Sequence, residues 1–409
     1  MQQDKRNIWI INEYAGSPYH GMEFRHYYLA KEMIKLGYDV TIISASYSHL
    51  FKEQPKVKNR FTIETIDGIN YLWIKVPSYP SAHSKKRVLK WLIYTLSLFL
   101  LPVKKLSKPD YIIVSPMQTM PFYPAYRWAK KFGSKIIFEV KDIWPLSIQE
   151  LGGYSSHHPF IKILKYFEKM AIHKSDAIVS VLPNYGQYLK EQGFEKDFYY
   201  IPNGVFLTEK ENKEALPPQI EQQIPANKFI VGYTGTIGIA NALDYLLEAA
   251  ALLKDHDKIF FLIVGEGGEK NNLMKKYAHL NNVLFLPAIH KKQIPAMLEK
   301  MSVCYIGLEN KNLFRYGVSP NKIFDYMLAE KPIIFSVFSP NNPVEKSQCG
   351  VVVAPANPIE IAEAVKYLYQ LPEQERKKIG MRAKQYVIEH HTFSTFARQY
   401  QQIFTKMKK

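Results

Sequence analysis

Short apolar runs alternate with helix-length amphipathic stretches along nearly the whole chain. In the first half the runs are NIWIINE (7–13), VTIISAS (40–46), YIIVSP (111–116), KIIFEV (135–140) and DAIVSVL (176–182). In the second half they are KFIVGYTG (228–235), IFFLIVGEG (259–267), VLFLPAI (283–289), SVCYIGL (302–308), PIIFSVF (332–338) and GVVVAPA (350–356). Runs without a polar face, rich in Val and Ile and separated by helical patterns, predict parallel sheets covered on both faces. FTIETI and INYLWIKV flank Asp67-Gly68, a strong hairpin signal, so an antiparallel hairpin decorates the first sheet. Met22 to Leu36 reads as a helix ended by Gly37.

The two series are separated by ENKEALPPQIEQQIPANK (211–228), where composition shifts from apolar to charged and Pro-containing. This marks a domain boundary. The expected division is 1–205, 206–385, and a final segment 386–409 whose ARQYQQIFTKMKK forms a last helix. A chain of 409 residues suits about two cores.

Charge narrows the partners. The net charge of +17 asks for an acidic one: nucleic acid, anionic lipid or a phosphorylated substrate. The chain carries no zinc-finger, RNP-type or Arg-rich-arm pattern, which makes nucleic acid the weakest of the three. Cys304 and Cys349 each fall in an apolar run and read as buried free thiols, so a reducing, cytoplasmic setting is expected. The N-terminus lacks the long apolar region of a secretory signal. The adjacent pairs His157-His158 and His390-His391 have poor metal spacing, so no bound metal is expected.

The chemistry concentrates in LFRYGVSPNKIFDYMLAEK (313–331). Ser319 is placed to cap a helix with Pro320 at its first position. Ile323, Phe324, Met327 and Leu328 gather on one face, and Lys322 and Asp325 lie a turn apart on the other. The free N–H groups of Asn321 and Lys322, with the helix dipole, make a seat for an anion, to which Lys322 and Arg315 add positive charge. Asp325 suits the hydroxyls of a ribose. The competing reading is a capped surface helix with solvated charges. Two glycine turns bear on the same site. Gly235-Thr236-Ile237-Gly238 permits N–H groups to approach phosphate, and Gly265-Glu266-Gly267-Gly268 permits main chain to approach a base or sugar.

In the first half, the loop YAGSPYHG carries Gly16 and Gly21, which allow close backbone approach, and His20, either a donor to substrate or a solvated loop histidine. FEVKDIWPLSIQELGG (138–153) leaves a strand at the end where open α/β sheets bind ligands. Asp142 and Glu139 are acceptor-site candidates there, Glu139 equally a strand-end partner of Lys141, and Trp144 is a ring platform for a sugar. Residues 84–108 hold an apolar stretch, Trp91 to Val103, too short for a bilayer span of about 20 residues. Lys85, Lys86, Arg87 and Lys90 precede it and Lys104, Lys105 and Lys108 follow. It reads either as a segment in an anionic membrane surface, with Trp91, Leu96 and Phe99 toward lipid, or as a core helix with solvated ends.

GSPYHG, EVKDIWP, IPNGV, GYTGTIG, VGEGGEK and above all SPNKIFDYM resemble GT-B glycosyltransferases of family 4, over nearly the whole chain. They are similar to the bacterial subgroup that transfers N-acetylated amino sugars, N-acetylfucosamine among them, in surface-polysaccharide assembly. The resemblance implies an α/β fold of two Rossmann-like domains facing a cleft, the second binding the nucleotide sugar and the first the acceptor, with the last helix returning to the first. It implies retention of anomeric configuration without a strong protein base, and no cofactor beyond a nucleotide sugar, UDP-linked by expectation. Asp325 stands at the second acid of the family's E-x7-E motif; the first is Gly317 here, and Glu309 is the substitute considered. The implied acceptor is a polyprenyl-diphosphate glycan on the inner face of the membrane, a phospholipid headgroup being the next choice. A UDP-sugar 2-epimerase of the same architecture and a non-enzymatic membrane-bound binding module are the competing readings.

Overall fold

The computed structural model describes residues 5–21, 24–80, 84, 86–207 and 213–407. Two compact units emerge, Met1–Pro202 with Phe393–Lys409, and Asn203–Thr392.

The first unit is built on an eight-stranded sheet in the order β3-β4-β2-β1-β5-β6-β7-β8. Its strands are β1 (Asn7–Ile11), β2 (Asp39–Ala45), β3 (Phe61–Ile66), β4 (Ile69–Ile74), β5 (Tyr111–Val114), β6 (Lys135–Val140), β7 (Ala177–Ser180) and β8 (Phe198–Tyr200). All neighbours are parallel except β3 and β4. Asp67 and Gly68 both take positive φ, 50° and 83°, the hairpin geometry that Asp-Gly supplies. β8, formed by the short aromatic run FYY, is not among the Val- and Ile-rich runs of the pattern. The first helix occupies Arg25–Lys35, and the expected start at Met22 lies outside the described residues.

The second unit carries six parallel strands in the order β11-β10-β9-β12-β13-β14. They are β9 (Phe229–Thr234), β10 (Ile259–Val264), β11 (Val283–Leu286), β12 (Val303–Gly307), β13 (Ile333–Ser336) and β14 (Gly350–Val352). Period two sorts each strand between two buried clusters. Val231, Tyr233, Phe261, Ile263 and Tyr305 enter one, and Ile230, Leu262, Val264, Cys304 and Ile306 the other. Burial on both faces is why the runs show no alternation of apolar with polar. Cys304 and Cys349 are buried free thiols.

The chain enters the second unit earlier, and leaves it later, than composition suggests. The Asn203 amide donates to Ser319 Oγ at 3.0 Å and the Val205 amide to the His391 carbonyl at 2.8 Å. The helix Glu373–His390 runs unbroken through the expected boundary at 385, with Gly380 against the Glu330 carbonyl so closely that a Cβ would lie 1.9 Å from it. The last helix, Phe393–Lys406, belongs to the first unit, where the Tyr400 hydroxyl donates to Glu139 Oε1 at 2.6 Å. Among the described residues no helix is long and apolar enough to cross a membrane.

Glu168, buried in the first unit, accepts one hydrogen bond from the Tyr188 hydroxyl at 2.7 Å, and burial raises its carboxyl to about 7. The folded state therefore binds a proton that the unfolded state releases above pH 4.5, so stability should fall as pH rises from about 4.5 to 7 and then level off. Glu168→Gln, which keeps the acceptor for Tyr188, should stabilise the chain at pH 8 by on the order of 3 kcal/mol and much less at pH 4.5, read by urea unfolding at both values.

Candidate functional site

In the second unit, the loops that leave β9 and β10 are packed backbone against backbone. The Gly235 amide donates to the Val264 carbonyl at 3.0 Å, and the Ile237 amide to the Glu266 carbonyl at 2.9 Å. A Cβ at Gly265 would lie 1.8 Å from the Gly235 carbonyl oxygen, so the second turn's glycine serves this loop-to-loop contact. The Glu266 side chain pairs with Lys270 at 2.7 Å, which holds the carboxyl below its usual range. Glu309, after β12, joins the group through its amide, which donates to the Ala240 carbonyl at 3.2 Å. Its charge raises the Tyr245 phenol.

Lys322 comes to this loop cluster from the helix Asn321–Leu328. Its Nζ donates to Tyr233 Oη at 2.5 Å and Asn241 Oδ1 at 3.1 Å, and lies 4.0 Å from the Tyr233 ring centre. Tyr233 Oη in turn donates to the Thr236 carbonyl at 2.6 Å. Gly235 makes room: with φ at +142°, a Cβ there would lie 2.9 Å from the amine. Burial without a carboxylate partner among the described residues lowers the ammonium to about 7. An anion against this amine would restore the charge that burial disfavours.

Several expected roles change. Ser319 does not cap the helix; Pro320 is the N-cap, and Ser319 Oγ accepts from the Asn203 amide while its carbonyl accepts from Asn203 Nδ2 at 2.8 Å. Asp325 is not paired along its own helix with Lys322. Both its oxygens hold Lys291 Nζ, each at 2.7 Å, from the turn after β11. The Arg315 guanidinium lies 4.5 Å from the Tyr316 ring centre and donates to Tyr316 Oη at 2.6 Å. Gly317 has φ +105°, a conformation that side-chain-bearing residues rarely adopt, so the backbone itself disfavours an acid there. Asn321 is exposed at the helix start, and Gly238 is half-buried in the first turn, where a Cβ would lie 3.8 Å from the Thr236 methyl.

In the first unit, Glu139 is not an acceptor-site group. It is 0% exposed, and takes hydrogen bonds from Arg25 Nη2 at 2.9 Å and Tyr400 Oη at 2.6 Å and meets His26 Nε2 at 3.0 Å. Burial acts to raise its carboxyl, but Arg25 and His26 hold it well below the usual range. His20 is not a solvated histidine: Nδ1 meets Ser17 Oγ at 2.8 Å, and the ring sits 5.0 Å from Trp73, with burial lowering its imidazole. Gly21 serves the fold, since at φ +106° a Cβ would lie 2.9 Å from the Lys52 amide nitrogen. The Gly16 carbonyl is likewise occupied, accepting from Tyr71 Oη at 2.9 Å. Asp142 is exposed, and Trp144 is half-buried edge-on to Trp91 at 5.6 Å.

The basic apolar segment forms the helix Lys86–Leu98. Trp91 is inward, donating to Tyr14 Oη at 2.9 Å, and Arg87 Nε donates to the same oxygen at 3.1 Å, so neither is a membrane group. Lys90 is buried too. Phe99 is half-buried, its ring 5.8 Å from Tyr123. Lys86 is exposed and Lys85 lies outside the described residues. The outer face presents Leu89, Leu92 at 44% and Leu96 at 60% exposure, with Leu100 just beyond, and Lys104, Lys105 and Lys108 also exposed. The helix thus has one core-facing side, as the core-helix reading expects, and one bare apolar side.

The residues missed from sequence are partners of those found. Tyr233, Asn241, Lys291, Asn203 and Tyr326, whose Oη meets the Thr234 amide at 2.8 Å, act on groups far away in the chain, so no local spacing announces them.

A family model described as glycosyl transferases group 1 matches residues 228–371, and one for glycosyltransferase family 4 matches residues 19–209. A protein of Escherichia coli K12 named as the colanic acid biosynthesis glycosyl transferase WcaI is 26% identical over 302 residues, 70% of this chain and 72% of that one. The Bacillus subtilis protein named as the teichuronic acid biosynthesis glycosyltransferase TuaH is 23% identical over 64% of this chain and 65% of its own length. The Anabaena protein HepE, solved with UDP and glucose, superposes with a TM-score of 0.65 at 12% identity, over 97% of this chain and 99% of that one.

Lys322 carries a cost that a simple core residue would not. Lys322→Met should raise stability by about 1–2 kcal/mol at pH 6. The gain should fade as pH rises from about 7 toward 10.5, where the unfolded lysine also loses its proton, as read by urea unfolding of both chains at pH 6 and 10.

Proposed function

For this chain, which belongs to the group 1 and family 4 glycosyltransferases and has the two-domain GT-B fold, we propose transfer from a UDP-sugar to a lipid-linked glycan. The sugar is an N-acetylated amino or deoxyamino hexose, the acceptor a polyprenyl-diphosphate glycan, and the setting surface-polysaccharide assembly with retention of anomeric configuration. The colanic and teichuronic acid relatives support the setting, and UDP in HepE supports the nucleotide.

The observation that carries the reading is the Lys322 amine against Gly235, in a loop whose Gly235 and Thr236 are exposed. As the sugar leaves and becomes oxocarbenium-like, negative charge grows on the nucleoside diphosphate, and a fixed ammonium stabilises it without reorganisation. Its depressed basicity makes the amine respond to the ligand: the diphosphate favours the protonated form and so draws a proton on binding near and above neutrality. Asp325 receives the ribose hydroxyls once Lys291 turns aside. That exchange is inexpensive, because an ion pair partly open to solvent contributes about 1 kcal/mol. Arg315 adds charge toward the diphosphate. Catalysis then rests on positioned cations and amides rather than on a protein base.

The bare leucines on the helix Lys86–Leu98 support a peripheral seat on the inner face of an anionic membrane, where a lipid-linked acceptor resides.

UDP should raise the melting temperature most in a panel of nucleoside diphosphates. Lys322→Met should lower transfer from UDP-N-acetylhexosamine about a hundredfold, mainly in kcat. Asp325→Ala should weaken UDP binding about tenfold by calorimetry. Wild-type values in both variants would remove the assignment. Leu92→Asp with Leu96→Asp should abolish co-sedimentation with anionic vesicles and leave UDP affinity intact; retained vesicle binding would refute the membrane seat.

A further inference from the structure

A second set of groups lies unexplained at the carboxyl ends of β1 and β5. The sheet order turns there: β2 and β4 lie to one side of β1, and β5 to β8 run to the other. The crevice outside such a reversal is where doubly wound sheets take ligands. Glu13, just past β1, is 1% exposed, and neither of its carboxylate oxygens has a hydrogen-bond partner. Lys90, 0% exposed on the inner side of its helix, donates from Nζ to the Glu13 carbonyl at 3.5 Å and lies 3.4 Å from Glu13 Oε2, without hydrogen-bond alignment to it, and 3.9 Å from the Tyr14 ring centre. Gln118, past β5, accepts the Met120 amide on Oε1 at 3.0 Å, while its buried Nε2 has no partner.

This arrangement is costly as packing alone. A buried pair stabilises only where hydrogen bonds complete it. Here burial raises the Glu13 carboxyl against the pull of Lys90, and lowers the Lys90 ammonium to about 8 against the pull of Glu13. Glu139, in the same unit, has its hydrogen bonds and lies on the opposite course, well below the usual carboxylate range.

We propose that Glu13, Lys90 and Gln118 form a polar socket that binds a hydroxyl-bearing ring of the acceptor glycan. The inference rests on the glycosyltransferase reading and assigns that acceptor's contacts in the first unit. Sugar hydroxyls both donate and accept, so adjacent hydroxyls answer all three groups: donors to Glu13, acceptors for Lys90 Nζ and Gln118 Nε2. A phosphate would be repelled by the Glu13 carboxylate, and an acyl chain would offer none of these groups a hydrogen bond. Arg87 and Met117, in contact at 3.0 Å from Nη2 to Sδ, are the half-buried members of the surrounding set and mark its edge toward solvent. Entry of the ring displaces that contact.

Saturation-transfer NMR on the full chain, with methyl glycosides of hexoses and N-acetylhexosamines as probes, tests the socket. UDP calorimetry on the same samples monitors the nucleotide site. Wild-type chain should show saturation of at least one glycoside. Glu13→Gln and, separately, Gln118→Met should weaken it at least tenfold while UDP affinity stays at the wild-type value. Either variant decides the matter if the other fails to fold. Glycoside binding that is absent in the wild-type chain, or equal in the variants, overturns the socket. Glycoside binding that follows the variants while UDP does not bind at all would sustain the socket and refute the nucleotide assignment.

Discussion

The buried charge cluster around Glu139 holds the first unit together across its longest sequence separations. Glu139 ends β6, Arg25 and His26 open the first helix, and Tyr400 comes from the last one. Arg25 also donates to the carbonyls of Ile201 and Pro202, at 3.0 and 2.6 Å, at the point where the chain leaves this unit. One carboxylate thus fixes where the chain departs and where it returns. Because the charge is wholly buried, removing a single partner leaves a neighbour uncompensated, a loss of about 3–5 kcal/mol. The final helix is therefore a structural part of the first unit despite following the second in sequence.

In the second unit the governing constraint is steric. Two glycine turns touch backbone to backbone, and the space left over Gly235 is filled by the amine of Lys322. Side chains at these glycines would push the loops apart and the amine out of position. The site thereby concentrates positive charge in a place that folding alone does not favour, the usual mark of a residue kept for function at some expense in stability. Asn241 and Tyr233 orient the amine but supply no negative charge, so it retains its capacity for an anion.

The architecture was legible because the fourteen strands among the described residues mostly announce themselves as Val- and Ile-rich runs, and double-sided burial explains why those runs carry no polar face. The hairpin at Asp67-Gly68 was legible because it acts through its immediate neighbours. Illegible were the roles decided by partners distant in sequence. Ser319 has the spacing of a helix cap, yet its hydroxyl is taken by Asn203. Asp325 is one turn from Lys322, yet Lys291 holds it. Glu139 stands at a strand end facing the ligand side, the position of a site residue, and only the convergence of two helices makes it a core group. Lys90 reads as one of a basic cluster on the surface, and its helix turns it inward toward Glu13.

The contrast between the two buried glutamates bears on how the first unit is organised. Glu139 lies in the carboxyl half of β6 and Glu13 just past β1, with β5 between the two strands, and both face a cation, but Glu139 is satisfied from several directions and Glu13 is not. A protein interior tolerates the first arrangement because its hydrogen bonds offset desolvation, and the second chiefly where a further group completes it. The helix bearing Lys90 also carries the exposed leucines on its other side, so its orientation sets both faces at once. Lys90 and the leucines share this one helix, so a contact that seats the leucines bears on the element that carries Lys90 toward Glu13.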